Sequence, residues 1–156
     1  MRKVIGIMTI SMLLLACSAT DKKDSAAKSS LPIVGTWKLI SGTTIQKGDT
    51  TTTYYDKNLS FIKIINDTHF AFLNHDIHKG KDSATAAYSS GGGSYTLHDS
   101  TYTEHLEYCS DRQWEGNDFP FTIRIKNDTL TQTGIEKVES EGVDRLNIEK
   151  YVRVKD

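Results

Sequence analysis

The sequence predicts an all-β domain, an antiparallel up-and-down barrel of eight strands. Three observations predict it. Eight segments rich in aromatic, β-branched and Thr residues follow one another, several alternating apolar with polar positions. No segment keeps a helical period for three turns behind a cap. Short polar breaks and long connections take turns between the segments, as they do when alternate connections lie at opposite ends of a meander.

The chain begins with a leader. Arg2 and Lys3 precede an apolar run from Val4 to Leu15. A helix needs about 20 residues to cross a bilayer, so this run is too short to span one. It reads as a signal peptide over residues 1–16. Its end, Leu14-Leu15-Ala16-Cys17, resembles the lipobox of bacterial lipoproteins. That resemblance implies cleavage before Cys17, lipid on Cys17, and a membrane anchor in the cell envelope. The plain alternative is an ordinary signal peptide that contains a cysteine. Ser18 stands where Asp would favour inner-membrane retention in some bacteria, which points to the outer membrane.

Residues 17–30 follow as a lipidated cysteine and a flexible tether. Ser18 to Ser30 has no aromatic and no large aliphatic residue, so it has nothing with which to build a core. The folded domain takes residues 31–156, enough for one core. The sequence has two cysteines, and acylation of Cys17 leaves Cys109 without a partner in the chain. Cys109 reads as a small packed side chain rather than a reactive thiol, since no basic cluster surrounds it. The leader removes Arg2 and Lys3 from 19 basic residues, leaving 17 against 20 acidic ones, a formal charge of −3. No basic stripe is present, which argues against nucleic acid as a partner.

The eight strand segments are Thr36–Ile45, Leu59–Asn66, Thr68–His75, Ala86–Leu97, Ser100–Cys109, Phe119–Lys126, Thr129–Lys137 and Arg145–Val154. Alternation is clearest in the sixth, where Phe121, Ile123 and Ile125 oppose Thr122, Arg124 and Lys126. Asn66-Asp67, His98-Asp99 and Asn127-Asp128 make tight hairpin breaks, because Asn and Asp tolerate positive φ or bond their own backbone. The long connections are roughly 46–58, 75–83, 110–118 and 137–144. The tight turns therefore gather at one end, the base, and the long loops at the other, the mouth. A β-sandwich is the rival fold and would need Greek-key crossovers. Gly91-Gly92-Gly93 lacks the Lys of a phosphate loop and reads as a bend or bulge at a barrel corner.

Gly35-Thr36-Trp37 opens the first strand. It resembles the Gly-x-Trp motif of the lipocalins and their calycin relatives. The resemblance implies an eight-stranded barrel whose Trp37 plugs the closed end, with Arg153, late in the last strand, stacked across it. The meander independently places the start of the first strand and the end of the last at the same end. Here no helix is evident after the barrel and no disulfide is available, which places the chain among the shorter members.

In the fifth segment Tyr102, Glu104, Leu106 and Tyr108 share the more apolar face and are expected inside. In the last, Glu149, Tyr151 and Arg153 share the face that the Trp37–Arg153 pairing turns inward. The interior thus holds Glu104, Tyr151 and Arg153, either as a closed internal salt bridge or as a ligand-holding set. Fatty-acid-binding calycins hold a carboxylate with an interior Arg and Tyr on the last strand; the order here is reversed. His75, Asp76 and His78 on one mouth loop lack a third strong metal ligand and read as solvated loop residues. Asp111, Arg112 and Trp114 lie on another, where Trp114 either caps the core or gates the mouth.

No G-x-S-x-G and no Cys–His signature occurs, and Glu104 and Glu107 face opposite sides of their strand, so no catalytic set is expected. The expected function is the binding or carriage of a small, partly apolar ligand by a lipid-anchored envelope protein, without a cofactor or metal. The ligand would meet Phe72, Tyr102, Glu104, Tyr108, Trp114 and Tyr151. The alternative is a protein–protein interaction module whose barrel is filled by its own side chains.

Overall fold

The computed structural model describes residues 31–155; the expected signal peptide, Cys17 and the expected tether lie outside the described residues. The strands are β1 (Gly35–Gln46), β2 (Asp49–Tyr54), β3 (Leu59–Ile65), β4 (His69–Asp76), β5 (Tyr88–His98), β6 (Thr101–Cys109), β7 (Asp118–Lys126), β8 (Thr129–Val138) and β9 (Val143–Arg153). All neighbours are antiparallel, and β1 pairs with β9 to close the sheet. The closed ring is β1-β3-β4-β5-β6-β7-β8-β9, the predicted eight-stranded up-and-down barrel.

β2 is a ninth strand, inside the segment expected to be a loop over 46–58. β1 turns back at Lys47-Gly48, where both residues have positive φ (53° and 90°), and β2 pairs with its outer half. From Ser41 opposite Tyr54 to Lys38 opposite Ile62, β1 uses three residues and the returning chain eight. β2 and β3 are therefore one interrupted partner of β1, with an excursion around Tyr55–Asn58. Thr50 to Thr53 are alike on both faces, so alternation gave no sign of the strand. The 137–144 connection is also shorter than expected: Val138 pairs with Val143, and a 3-10 turn ends at left-handed Gly142.

The three base turns use two devices. Asn127 and Asp128 both have positive φ (50° and 57°), as a two-residue type I′ hairpin requires, and Asp99 adopts φ 51°. Asn66 instead accepts from the backbone N–H groups of Thr68 (2.9 Å) and His69 (2.8 Å) through its side-chain oxygen. These turns lie beside Trp37, as expected. The Arg153 N–H donates to Asp128 O, and the Val154 N–H to Thr36 O.

Trp37, Leu39, Tyr102, Leu130 and Tyr151 are all but inaccessible. Along β7, Phe119, Phe121 and Ile123 are buried while Pro120, Thr122 and Arg124 are exposed. Trp37 Nε1 donates to Ile33 O at 2.7 Å, and the guanidinium of Arg153 reaches Val34 O at 2.8 Å and Pro32 O. The residues before β1 are thus bound against the closed end.

Candidate functional site

Above this base the barrel keeps a cavity of about 440 Å³ that opens between the mouth loops. Strand alternation aims every second side chain into it. One wall is aromatic: Phe61 lies between Tyr55 (centroids 5.7 Å apart) and Phe72 (5.7 Å, nearly parallel) and touches Tyr151 at 6.3 Å. Trp114, on a 3-10 turn over Arg112–Trp114, leans on Phe119 and carries Arg145 on its face at 5.4 Å. Asp111 caps that turn by accepting from the Gln113 N–H, and Arg112 pairs with Glu115, so both serve the loop itself.

The floor is polar. Lys63 Nζ donates to Glu104 at 2.6 Å and to Gln132 at 3.2 Å, with Glu149 at 3.9 Å. Tyr151 donates its hydroxyl proton to Glu149 at 2.6 Å. Beside them Glu136 accepts from Arg145 (2.7 Å) and Asn147 (2.8 Å). Burial pushes the Glu104 carboxyl above the usual glutamate range, and Lys63 only partly offsets it. Burial works against the Lys63 ammonium as well, but Glu104 and Glu149 outweigh it, and its pKa rises. Glu136 is likewise pushed up by burial, against the pull of Arg145. The buried Tyr102 hydroxyl has no hydrogen-bond partner in good geometry, although Glu104 is near enough to add to the burial that raises its pKa.

Of the residues expected at the site, Phe72, Glu104 and Trp114 line the cavity. Tyr102 and Tyr151 are buried beneath it, and Tyr151 acts through its bond to Glu149. Tyr108 is outside, 68% exposed, against expectation. The cause is a bulge. Gly93 opposes Leu106 but Gly92 opposes Tyr108, so β6 advances two residues for one of β5 and the inward phase is lost. A Cβ on Gly93 would collide with the backbone of β6, so glycine is required at this kink. Beyond the bulge Cys109 lines the cavity in place of Tyr108, with burial raising its thiol pKa. His75 and His78 stay on the surface, while Asp76 is buried and accepts from the N–H groups of Gly80 and Ala87, tying down the loop between β4 and β5.

Sequence reasoning missed Lys63, Gln132, Glu136, Arg145 and Asn147. Phase could have found most of them. Lys63 stands two residues from Phe61 and Ile65, Gln132 two from Leu130, and Asn147 two from Glu149. No protein-family model and no curated protein matches the chain.

Proposed function

We propose that the chain is a lipocalin-like binding protein for a small, partly apolar molecule, anchored in the cell envelope, and in the outer membrane in particular, by lipid on Cys17. One observation carries the reading: a cavity of about 440 Å³ within a closed barrel, with an aromatic wall and a few convergent polar groups on its floor. That is the size and make-up of a small-molecule pocket, and a barrel filled by its own side chains would have no such space. The Trp37–Arg153 stack across the closed end supports the lipocalin resemblance.

Native mass spectrometry of residues 28–156, which lack Cys17 and its lipid, purified without detergent from a bacterial lysate tests the reading. The expected result is a reproducible added mass that organic solvent removes. A bare protein mass, unchanged after incubation with lipid extract, would overturn it in favour of an interaction module.

A further inference from the structure

The cavity has a chemical bias. Four carboxylates line it, Glu104, Glu136 and Glu149 inside and Asp111 at the mouth, against two cations, Lys63 and Arg145. The donors of the wall already serve the inner acids: Lys63 bonds Glu104 and Gln132, Arg145 Nε and Asn147 bond Glu136, and Tyr151 bonds Glu149. Glu149 is the carboxylate with the weakest cationic partner: it accepts from Tyr151, and Lys63 lies 3.9 Å away, within ion-pair distance but beyond hydrogen-bond reach. Two buried side-chain atoms among the described residues lack a partner: the Tyr102 hydroxyl, beneath the floor near Glu104, and the side-chain oxygen of Asn74, an acceptor in the cavity wall itself. The excess of carboxylates and the unmet Asn74 oxygen call for a ligand that brings protons and positive charge. A carboxylate ligand would instead add a further negative charge.

The aromatic rings stand where a cation would use them. Gly42 pairs with Glu149 across β1 and β9, and the Tyr55 ring covers Gly42, 3.8 Å from where a Cβ would project. Phe61 contacts both Tyr55 and Tyr151, and Tyr151 holds Glu149. A carboxylate beside three rings suits an ammonium, which gains from the anion and from the ring faces.

We propose that the cavity takes an organic ammonium, a protonated amine on an apolar body, with its charged end against Glu149 among Tyr55, Phe61 and Tyr151 and its apolar body along Phe72 toward Trp114. This rests on the binding function proposed above and names its ligand class.

The test is calorimetry at pH 7 with octylammonium, octanol and octanoate, which share a chain and differ in the head. Octylammonium binds about tenfold or more tightly than octanoate. Glu149→Gln, which keeps an acceptor for Tyr151, and Tyr55→Leu each weaken octylammonium about tenfold and weaken octanol by less. Octanoate binding as tightly as octylammonium overturns the ammonium assignment, as does equal binding of octylammonium and octanol with no effect of Glu149→Gln. In both cases binding of octanol leaves the cavity function standing. If none of the three binds, the ammonium assignment falls and the cavity function falls with it.

Discussion

The guanidinium of Arg153 lies 4.1 Å from the centroid of the Trp37 ring, directly across the β1–β9 pair. The same guanidinium bonds the carbonyls of Val34 and Pro32, so one side chain ties the residues before β1 to the plug of the barrel. A planar fork that stacks and bonds at once cannot be copied by lysine. Arg153→Ala should cost about 2–3 kcal/mol, from charge-assisted hydrogen bonds and the ring contact together. Arg153→Lys should recover less than half of that in urea unfolding. A lysine variant as stable as the parent would show that only the charge matters.

Gly35 sits under that guanidinium with φ +143°, and a Cβ there would run into Arg153 Nη1. The glycine of the Gly-x-Trp motif is thus needed for both backbone and space. Gly35→Ala should destabilise by about 1–3 kcal/mol. Gly48→Ala, with φ +90° but open space around it, should cost less. Equal midpoint shifts for the two would place the whole effect in the backbone and none in Arg153.

Lys63 is the hub of the floor, and its removal leaves Glu104 buried without its ion-pair partner. Lys63→Met should cost about 3–5 kcal/mol at pH 7. The pH dependence has a definite sign. The raised pKa of Lys63 means that its contribution is fully present below the ordinary lysine range and is lost only as alkaline pH passes its folded value. Glu104 is also raised, so the folded state holds its proton more tightly, and its charge lowers stability as pH climbs above the ordinary glutamate range. The Lys63→Met variant should therefore regain stability between pH 7 and pH 5, as Glu104 takes up a proton. The Lys63→Met/Glu104→Gln double variant should be more stable at pH 7 and flatter with pH. Unfolding curves for the single variant that do not move over this interval would place the cost elsewhere.

These residues also mark how far the sequence could be read. Period-two alternation and the Asn-Asp turns carried the barrel, because they are local and uninterrupted in β7, β8 and β9. Alternation failed at Tyr108, where a bulge that depends on pairing with β5 reset the phase, and at β2, whose threonines look the same on either face. Lys63 was in phase with the core all along. A lysine between isoleucines reads as a solvated face until its partners are known, and those are 41 and 69 residues away in sequence. The charge balance of the cavity depends on such long-range pairs, and so does its ligand chemistry.

The bulge makes a prediction about adjacent residues with opposite fates. Tyr108 is on the outer face of β6, so Tyr108→Ser should change stability by no more than about 0.5 kcal/mol, the usual range for an exposed position. Cys109 faces the cavity, and burial raises its thiol pKa, so less reactive thiolate is present at pH 8 than on an exposed cysteine. It should react slowly with an aromatic disulfide reagent in the folded chain and at the ordinary rate in urea. Octanol in the cavity should slow the reaction further. Once modified, Cys109 should block octanol, because the added group takes up space in the cavity that Cys109 lines. The opposite pattern, with large destabilisation from Tyr108→Ser and fast labelling of Cys109 unaffected by octanol, would return the strand to unbroken alternation. Tyr108 would then point inward and the cavity would be correspondingly smaller.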